Sequence, residues 1–363
     1  MGRATRRHVA TAALAVAVLA LGACSGSAAD EPATPSTRPD RTTATSTTNT
    51  TSSDAAAWRD LDRRLGSFGP DVGFLAARVA DDGTCEPVHA VAPDEPRPTA
   101  SQFKLFVLGA LVDEVDAGRI AWDRELTVDD AVHSLGNGAG SLQLAPAGST
   151  VSVEDAATTM ISISDNTAAD LLAGLVGRDE VEAQFRAWSD HAELNEPFLT
   201  TRQVFLLHYV DGLGDRYLAT DRADRPAFLA SEVDPLALGE IGSGFSTDPR
   251  DIDRIEWFAS PADVCRAFAG LRSQAERPSA QAELPPILSE EVGSIGLDRA
   301  TWPTVWFKGG SEPGVLTLGW LATDDRGRTF VVEAMVSNPE EPLAEESIVD
   351  LVHLAEDAFA LLS

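Results

Sequence analysis

Arg97-Pro98-Thr99-Ala100-Ser101-Gln102-Phe103-Lys104 sets a serine and a lysine three residues apart where a helical pattern begins. The apolar spacing that follows predicts a helix over Ser101–Asp116, stopped by Gly118. Residues three apart share one helix face, so the Lys104 amine can reach the Ser101 hydroxyl. A helix N-terminus offers unpaired backbone N–H groups and a positive dipole end, which favour a developing alkoxide or oxyanion. Phe103, Leu105, Phe106 and Val107 would strip water from the lysine and push it towards the neutral form that a base requires. Alone the pair is weak evidence, because Ser-x-x-Lys arises about once by chance in a chain of this length. A capping serine followed by a solvated lysine is its plain alternative.

Two further short motifs stand downstream. Ser164-Asp165-Asn166 falls at a break in a predicted helical pair over Val153–Leu175. Its hydroxyl can relay a proton, its Asn amide can hold a substrate amide, and Asp165 fits as a brace for the turn. Capping residues of an ordinary helix–helix turn would read the same way. Lys308-Gly309-Gly310-Ser311 follows the strand residues Val305, Trp306 and Phe307. A lysine beside two glycines gives a fixed charge and a backbone that a ligand can approach closely. A strand ending in a glycine turn is the alternative.

In this order the three motifs resemble the penicillin-recognising serine hydrolases, whose signature is Ser-x-x-Lys, Ser-Asp-Asn and Lys-Thr-Gly. The resemblance to class A serine β-lactamases covers nearly the whole domain. Gly140-Ser141-Leu142-Gln143 and Ile163-Ser164-Asp165-Asn166-Thr167-Ala168-Ala169-Asp170-Leu171-Leu172 are similar to two further landmarks of that family. The resemblance implies an α/β (α+β) fold of the β-lactamase/DD-peptidase type and an acyl-serine mechanism without metal or cofactor. Ser101 would be the nucleophile, Lys104 its proton acceptor and Ser164 the relay to the leaving group. Asn166 would bind the substrate amide, Lys308 would attract the substrate carboxylate, and Gly310 would let the ligand approach the backbone. The N–H groups of Ser101 and Ser311 would form the oxyanion hole. The substrates implied are small: β-lactams, with an antibiotic-resistance role, or related amides and esters.

Two departures from the family pattern matter. Lys-Gly-Gly replaces Lys-Thr-Gly, so Gly309 lacks a hydroxyl for the substrate carboxylate, and Glu312 then follows close to a cationic site. Class A enzymes also carry a Glu on an Ω-loop that activates the deacylating water, and its Glu-x-x-Leu-Asn pattern is missing. Asn166 and Lys308 are 142 positions apart, several tens more than the family needs, and the acidic stretch from about Tyr217 to Arg254 is expected to form a flap or loop. Glu193, Glu196 and Glu256 are the candidate deacylating bases. Without such a base a slowly hydrolysed acyl-enzyme is expected, which leaves room for a cephalosporin-type esterase or a peptidoglycan DD-peptidase. From another class, a catalytically weak protein that holds cell-wall fragments would use the same cleft.

Composition narrows the field. The 363 residues carry 28 basic and 57 acidic side chains, a formal charge of −29, which argues against nucleic-acid binding and against charge-driven docking on anionic lipid. Six scattered histidines form no pair at metal-ligand spacing. Strands are predicted at Val72–Ala80, Pro87–Val91, Thr304–Phe307, Val315–Ala322 and Thr329–Ser337, and helices at Ala56–Leu65 and Glu346–Leu362. Strands at both ends with helices between them suggest an antiparallel sheet covered by helices, with a helical subdomain in the middle.

The first residues read as an address. Arg3, Arg6 and Arg7 precede the apolar run Val9–Leu21, too short to span a bilayer. Leu21-Gly22-Ala23-Cys24 resembles a bacterial lipobox, so residues 1–23 are expected to be a lipoprotein signal peptide and Cys24 the lipidation site; an ordinary cleaved signal is the alternative. Losing three arginines and no acid takes the charge from −29 to −32. Residues 24–55, rich in Thr, Ser and Pro, read as a tether, and 56–363 as the catalytic domain. Location outside the cytoplasm on a lipid anchor follows, as a monomer. Cys85 and Cys265 can bridge in that compartment, and buried free thiols fit the sequence equally well.

Overall fold

Phe74 and Ala76 point to one face of the first strand and Leu75 and Ala77 to the other, and all four are buried. Successive strand residues face opposite sides, so this strand lies in a sheet covered on both faces. The computed structural model describes residues 47–136, 142–242, 246–344 and 346–363. The expected signal peptide, Cys24, the tether up to residue 46, and Gly140 and Ser141 lie outside the described residues.

The chain runs α1 (Thr47–Leu65), β1 (Asp71–Val79), β2 (Cys85–Val91), β3 (Arg97–Pro98), α2 (Lys104–Asp116), β4 (Glu125–Val128) and β5 (Ser149–Ser152). Then come α3 (Val153–Ser162), α4 (Asn166–Val176), α5 (Arg178–Trp188), α6 (Thr201–Tyr209), α7 (Leu213–Ala219), α8 (Arg225–Phe228) and β6 (Phe258–Ala259). It closes with α9 (Pro261–Gln274), α10 (Leu284–Ser289), β7 (Thr304–Glu312), β8 (Val315–Thr323), β9 (Thr329–Ser337) and α11 (Ser347–Leu362). The antiparallel five-stranded sheet has the order β2-β1-β9-β8-β7, so the two ends of the domain meet where β1 pairs with β9. Helices α1 and α11 cover one face, and α2 and α9 cover the other, with the helical subdomain beyond α2. This is the expected sheet-and-helix architecture.

Capping chemistry sets the helix boundaries near the site. Ser260 caps α9 in a reciprocal box with Asp263, and Thr200 does the same for α6 with Gln203. Cys85 on β2 and Cys265 on α9 form a disulfide that joins the sheet edge to the helix layer.

Three segments differ from expectation. Helix α1 begins at Thr47, inside the stretch read as tether, because adding residues to a formed helix costs far less than starting one. Strand β7 continues through Lys308-Gly309-Gly310-Ser311 to Glu312, since both glycines keep their register against β8 (Gly309 with Leu318, Gly310 with Thr317). The described part of the inserted stretch is packed, not an open loop: Leu229, Val233 and Ile241 join the main core, and Ile252 packs with Ala100 and Val315.

Candidate active site

Ser101 sits on a short 3-10 turn, Ala100–Phe103, that leads into α2. Strand β3 enters this turn held by β6, and the Thr99 N–H donates to Trp257 O at 2.9 Å. Ala100 then adopts φ +42°, a left-handed conformation costly for an L-residue, which turns the chain so that Ser101 is half-buried while Gln102, Phe103 and Lys104 are buried. The Phe103 ring stacks on Trp257 at 3.8 Å between centroids and clamps the turn from below.

Lys104 Nζ lies 3.1 Å from Ser101 Oγ, 2.7 Å from Ser164 O, 3.1 Å from Ser164 Oγ and 2.6 Å from Asn166 Oδ1. The Ser164 carbonyl and Asn166 Oδ1 can only accept, so they take two N–H bonds from the amine. A neutral Lys104 keeps one lone pair for a hydroxyl proton. Burial lowers its pKa to about 7, against the opposing fields of Asp165 and Asp170.

Ser164 occupies the turn between α3 and α4 with φ +58°. Asp165 holds that turn by accepting from Ala168 N and Leu142 N, each at 2.9 Å. Asn166 opens α4, and its Nδ2 donates to Leu135 O at 2.7 Å. Lys308 Nζ donates to Ser164 Oγ at 3.0 Å and to Gly309 O at 2.7 Å. Burial, followed by repulsion from Lys104, pushes the Lys308 pKa well down from its ordinary value. Two hydroxyls and two amines, drawn from the turn before α2, α2 itself, the α3–α4 turn and β7, thus form one connected chain, Ser101–Lys104–Ser164–Lys308.

Gly310 is required by close approach. A Cβ there would fall 2.3 Å from Thr99 O and 2.6 Å from Ser101 N. Only a bare backbone lets β7 lie flat against the Ser101 turn, with Ser311 exposed beyond it.

The candidate deacylating bases do not gather at Lys104. Glu193 is exposed on a short 3-10 turn. Glu196 forms an ion pair with Arg186. Glu256 is buried, with its carboxyl against the backbone N–H groups of Trp257 and Ala100 and against Glu312. Glu312, read from the sequence as a charge beside the cationic site, faces Glu256 instead. Burial, then the charge of Glu312, raises the Glu256 pKa well above the ordinary range, and burial raises that of Glu312. Two carboxylates alone would both be acceptors, and a shared proton makes them donor and acceptor. His208, Tyr209 and Arg250 surround the pair: Arg250 donates to His208 O at 3.0 Å and covers the Tyr209 ring.

Sequence reasoning gave no role to Asp170 beyond a landmark. It lies one turn after Asn166, so spacing alone could have placed it on the same face. Its carboxylate accepts from Thr201 N at 2.7 Å and Arg202 N at 2.9 Å, tying α4 to the start of α6. Burial raises its pKa to about 6, opposed by those two bonds and by Lys104. Among the described residues no group of three or more His, Cys, Asp or Glu side chains is arranged to hold a metal ion.

Sheet, helical subdomain and the Ser101–Lys104–Ser164–Lys308 group together define a serine-hydrolase architecture. A family model described as the β-lactamase enzyme family matches residues 56–359, and the chain belongs to that family. Among solved structures, PBP-A is 19% identical with a TM-score of 0.56, covering 87% of this chain and 96% of its own. A PBP-A variant held as an acyl-enzyme complex with penicillin G is 18% identical, TM-score 0.54, covering 84% and 97%. A β-lactamase from Sphaerobacter thermophilus is 21% identical, TM-score 0.54, covering 86% and 95%. At these identities the likeness is one of fold. A comparison with curated protein sequences returned no match.

Proposed function

We propose that the protein is a lipid-anchored, extracytoplasmic serine hydrolase that forms an acyl-enzyme on Ser101 and hydrolyses β-lactams or related amides and esters. The observation that carries the reading is a buried amine with a pKa of about 7, 3.1 Å from Ser101 Oγ. Family membership and the penicillin G acyl-enzyme of the PBP-A variant support it.

In the proposed reaction Ser101 Oγ attacks the carbonyl carbon and its proton passes to the Lys104 lone pair. The oxyanion rests on the N–H groups of Ser101 and Ser311. Once protonated, Lys104 has a third N–H to give to Ser164 Oγ, which also accepts from Lys308, so the Ser164 hydrogen is free for the leaving nitrogen and Lys104 replaces it as the C–N bond breaks. Asn166 and Lys308 orient the substrate amide and carboxylate, and water then cleaves the Ser101 ester. The lipid on Cys24 would keep the domain at the membrane.

A second reading concerns rate. The hydrogen-bond partners of Lys104 described above include no carboxylate, which favours acylation that outruns deacylation, as in a DD-peptidase or a slow esterase. Intact-mass measurement after benzylpenicillin tests both: an adduct on wild type, absent in Ser101→Ala, is expected, and its lifetime separates the two. No adduct, with no hydrolysis of a chromogenic cephalosporin or an aryl ester, would leave only binding of cell-wall fragments. A Cys24→Ala chain should move from the membrane to the soluble fraction, and one that stays with the membrane sinks the anchor.

A further inference from the structure

Strand β9 presents Val331, Glu333 and Met335 to the face that packs on α2 and α9, and Glu333 is fully buried between two apolar neighbours. A charge there would be costly without a partner. The carboxyl reaches across Gly319, the residue paired with it on β8; a Cβ on Gly319 would fall 2.1 Å from Glu333 Oε2. Its neighbour on the far side is Gln102, between Ser101 and Lys104. Gln102 Nε2 donates to Glu333 Oε2 at 3.0 Å and to Lys308 O at 3.0 Å. Those two bonds use both amide hydrogens and fix which way the amide points. Gln102 Oε1 and Glu333 Oε1 are left buried with no hydrogen-bond partner.

One proton removes both vacancies. We propose that Glu333 is held as the carboxylic acid and that its O–H donates to Gln102 Oε1, closing an acid–amide pair that fastens the nucleophile turn to the strand carrying Lys308. Glu333 is thus a positioning residue. It touches no substrate, but it fixes Gln102, and Gln102 fixes the spacing between Ser101 and Lys308. As a neutral acid it does this without burying a negative charge in the core. Burial, which pushes the Glu333 pKa well up, acts in the same direction.

The activity arm of the test rests on the serine-hydrolase reading, and the infrared arm does not. Gln at position 333 carries the same donor and acceptor as a protonated Glu. Glu333→Gln should therefore fold and acylate within about threefold of wild type, with the acid limb of its pH–rate profile unmoved. Glu333→Ala should lose at least about tenfold in kcat, with KM less affected. At neutral pH the infrared difference between wild type and Glu333→Gln should contain the carbonyl band of a protonated carboxylic acid. The proposal is overturned if Glu333→Gln fails to fold or is as slow as Glu333→Ala. It is equally overturned by an acid limb moved to lower pH, as loss of a carboxylate would cause, or by an infrared difference that contains a carboxylate band. A wild type that never acylates would defeat the hydrolase reading and leave the infrared result to decide this one.

Discussion

The Phe307 ring occupies the space beside Gly309: a Cβ at position 309 would fall 2.8 Å from Phe307 Cζ, 3.0 Å from Leu318 Cδ2 and 3.2 Å from Thr317 O. The missing threonine of the third motif is therefore a packing consequence. Gly309→Thr should destabilise the domain by about 1–3 kcal/mol through overpacking. Combined with Phe307→Ala it should cost less than the sum of the two single changes, because the ring it strikes is gone. Urea unfolding of the four chains measures the coupling, and strictly additive costs would sink this account.

Gly310 fails differently, because its close neighbours are backbone. Thr99 O and Ser101 N belong to the turn that carries Ser101, so Gly310→Ala must displace that turn to fit. A displacement of about 1 Å in a catalytic group lowers rates by about 100-fold. Labelling of Ser101 by benzylpenicillin should slow by about that factor in a chain whose circular dichroism still reports a folded domain. Labelling at the wild-type rate would mean that the turn tolerates the shift.

What could be read along the chain was local. Ser101 and Lys104 share a helix face by spacing, and the break at Ser164-Asp165-Asn166 follows from turn chemistry, so α2 and the α3–α4 turn could be placed in advance. Lys308 was visible as a lysine beside glycines, but the extent of β7 was not, because glycine weakens strand signals and only pairing with β8 holds it extended. The Gln102–Glu333 contact joins residues 231 apart, and the Glu256–Glu312 pair joins the segment leading into β6 to a strand end. Such contacts depend on register across the sheet, which a single sequence does not carry. A lone acid in the apolar run of β9 was the one available hint.

In the proposed reaction Lys104 sets the pH dependence of acylation. It must be neutral to accept the Ser101 proton, and its pKa is about 7, so the rate should rise with pH through about that value and then level. Asp170 holds the Lys104 pKa up by its charge. Asp170→Asn removes that charge and should move the acid limb to lower pH, while its amide oxygen can still accept one of the two α6 bonds. Stopped-flow acylation over about pH 5–9 reads the shift. A limb that moves upwards, or stays fixed, contradicts the assignment of Lys104 as base.

The Glu256–Glu312 pair should leave a mark on stability in the opposite sense to an ordinary ion pair. Both carboxyls have pKa values raised above the unfolded value of 4.5. Above that value the unfolded chain has released protons that the folded chain still holds, so folding is favoured at low pH and loses this contribution as pH rises. Asp170 and Glu333 act in the same direction, so wild type alone cannot isolate the pair. Glu312→Gln can: it removes one acid, takes away the charge that raises Glu256, and offers an amide N–H to the remaining carboxylate. Between about pH 5 and pH 7 the fall in the urea midpoint should be shallower in Glu312→Gln than in wild type, with the two closest at the acid end. Parallel curves across that range would mean that the two carboxyls do not share a proton in the folded protein.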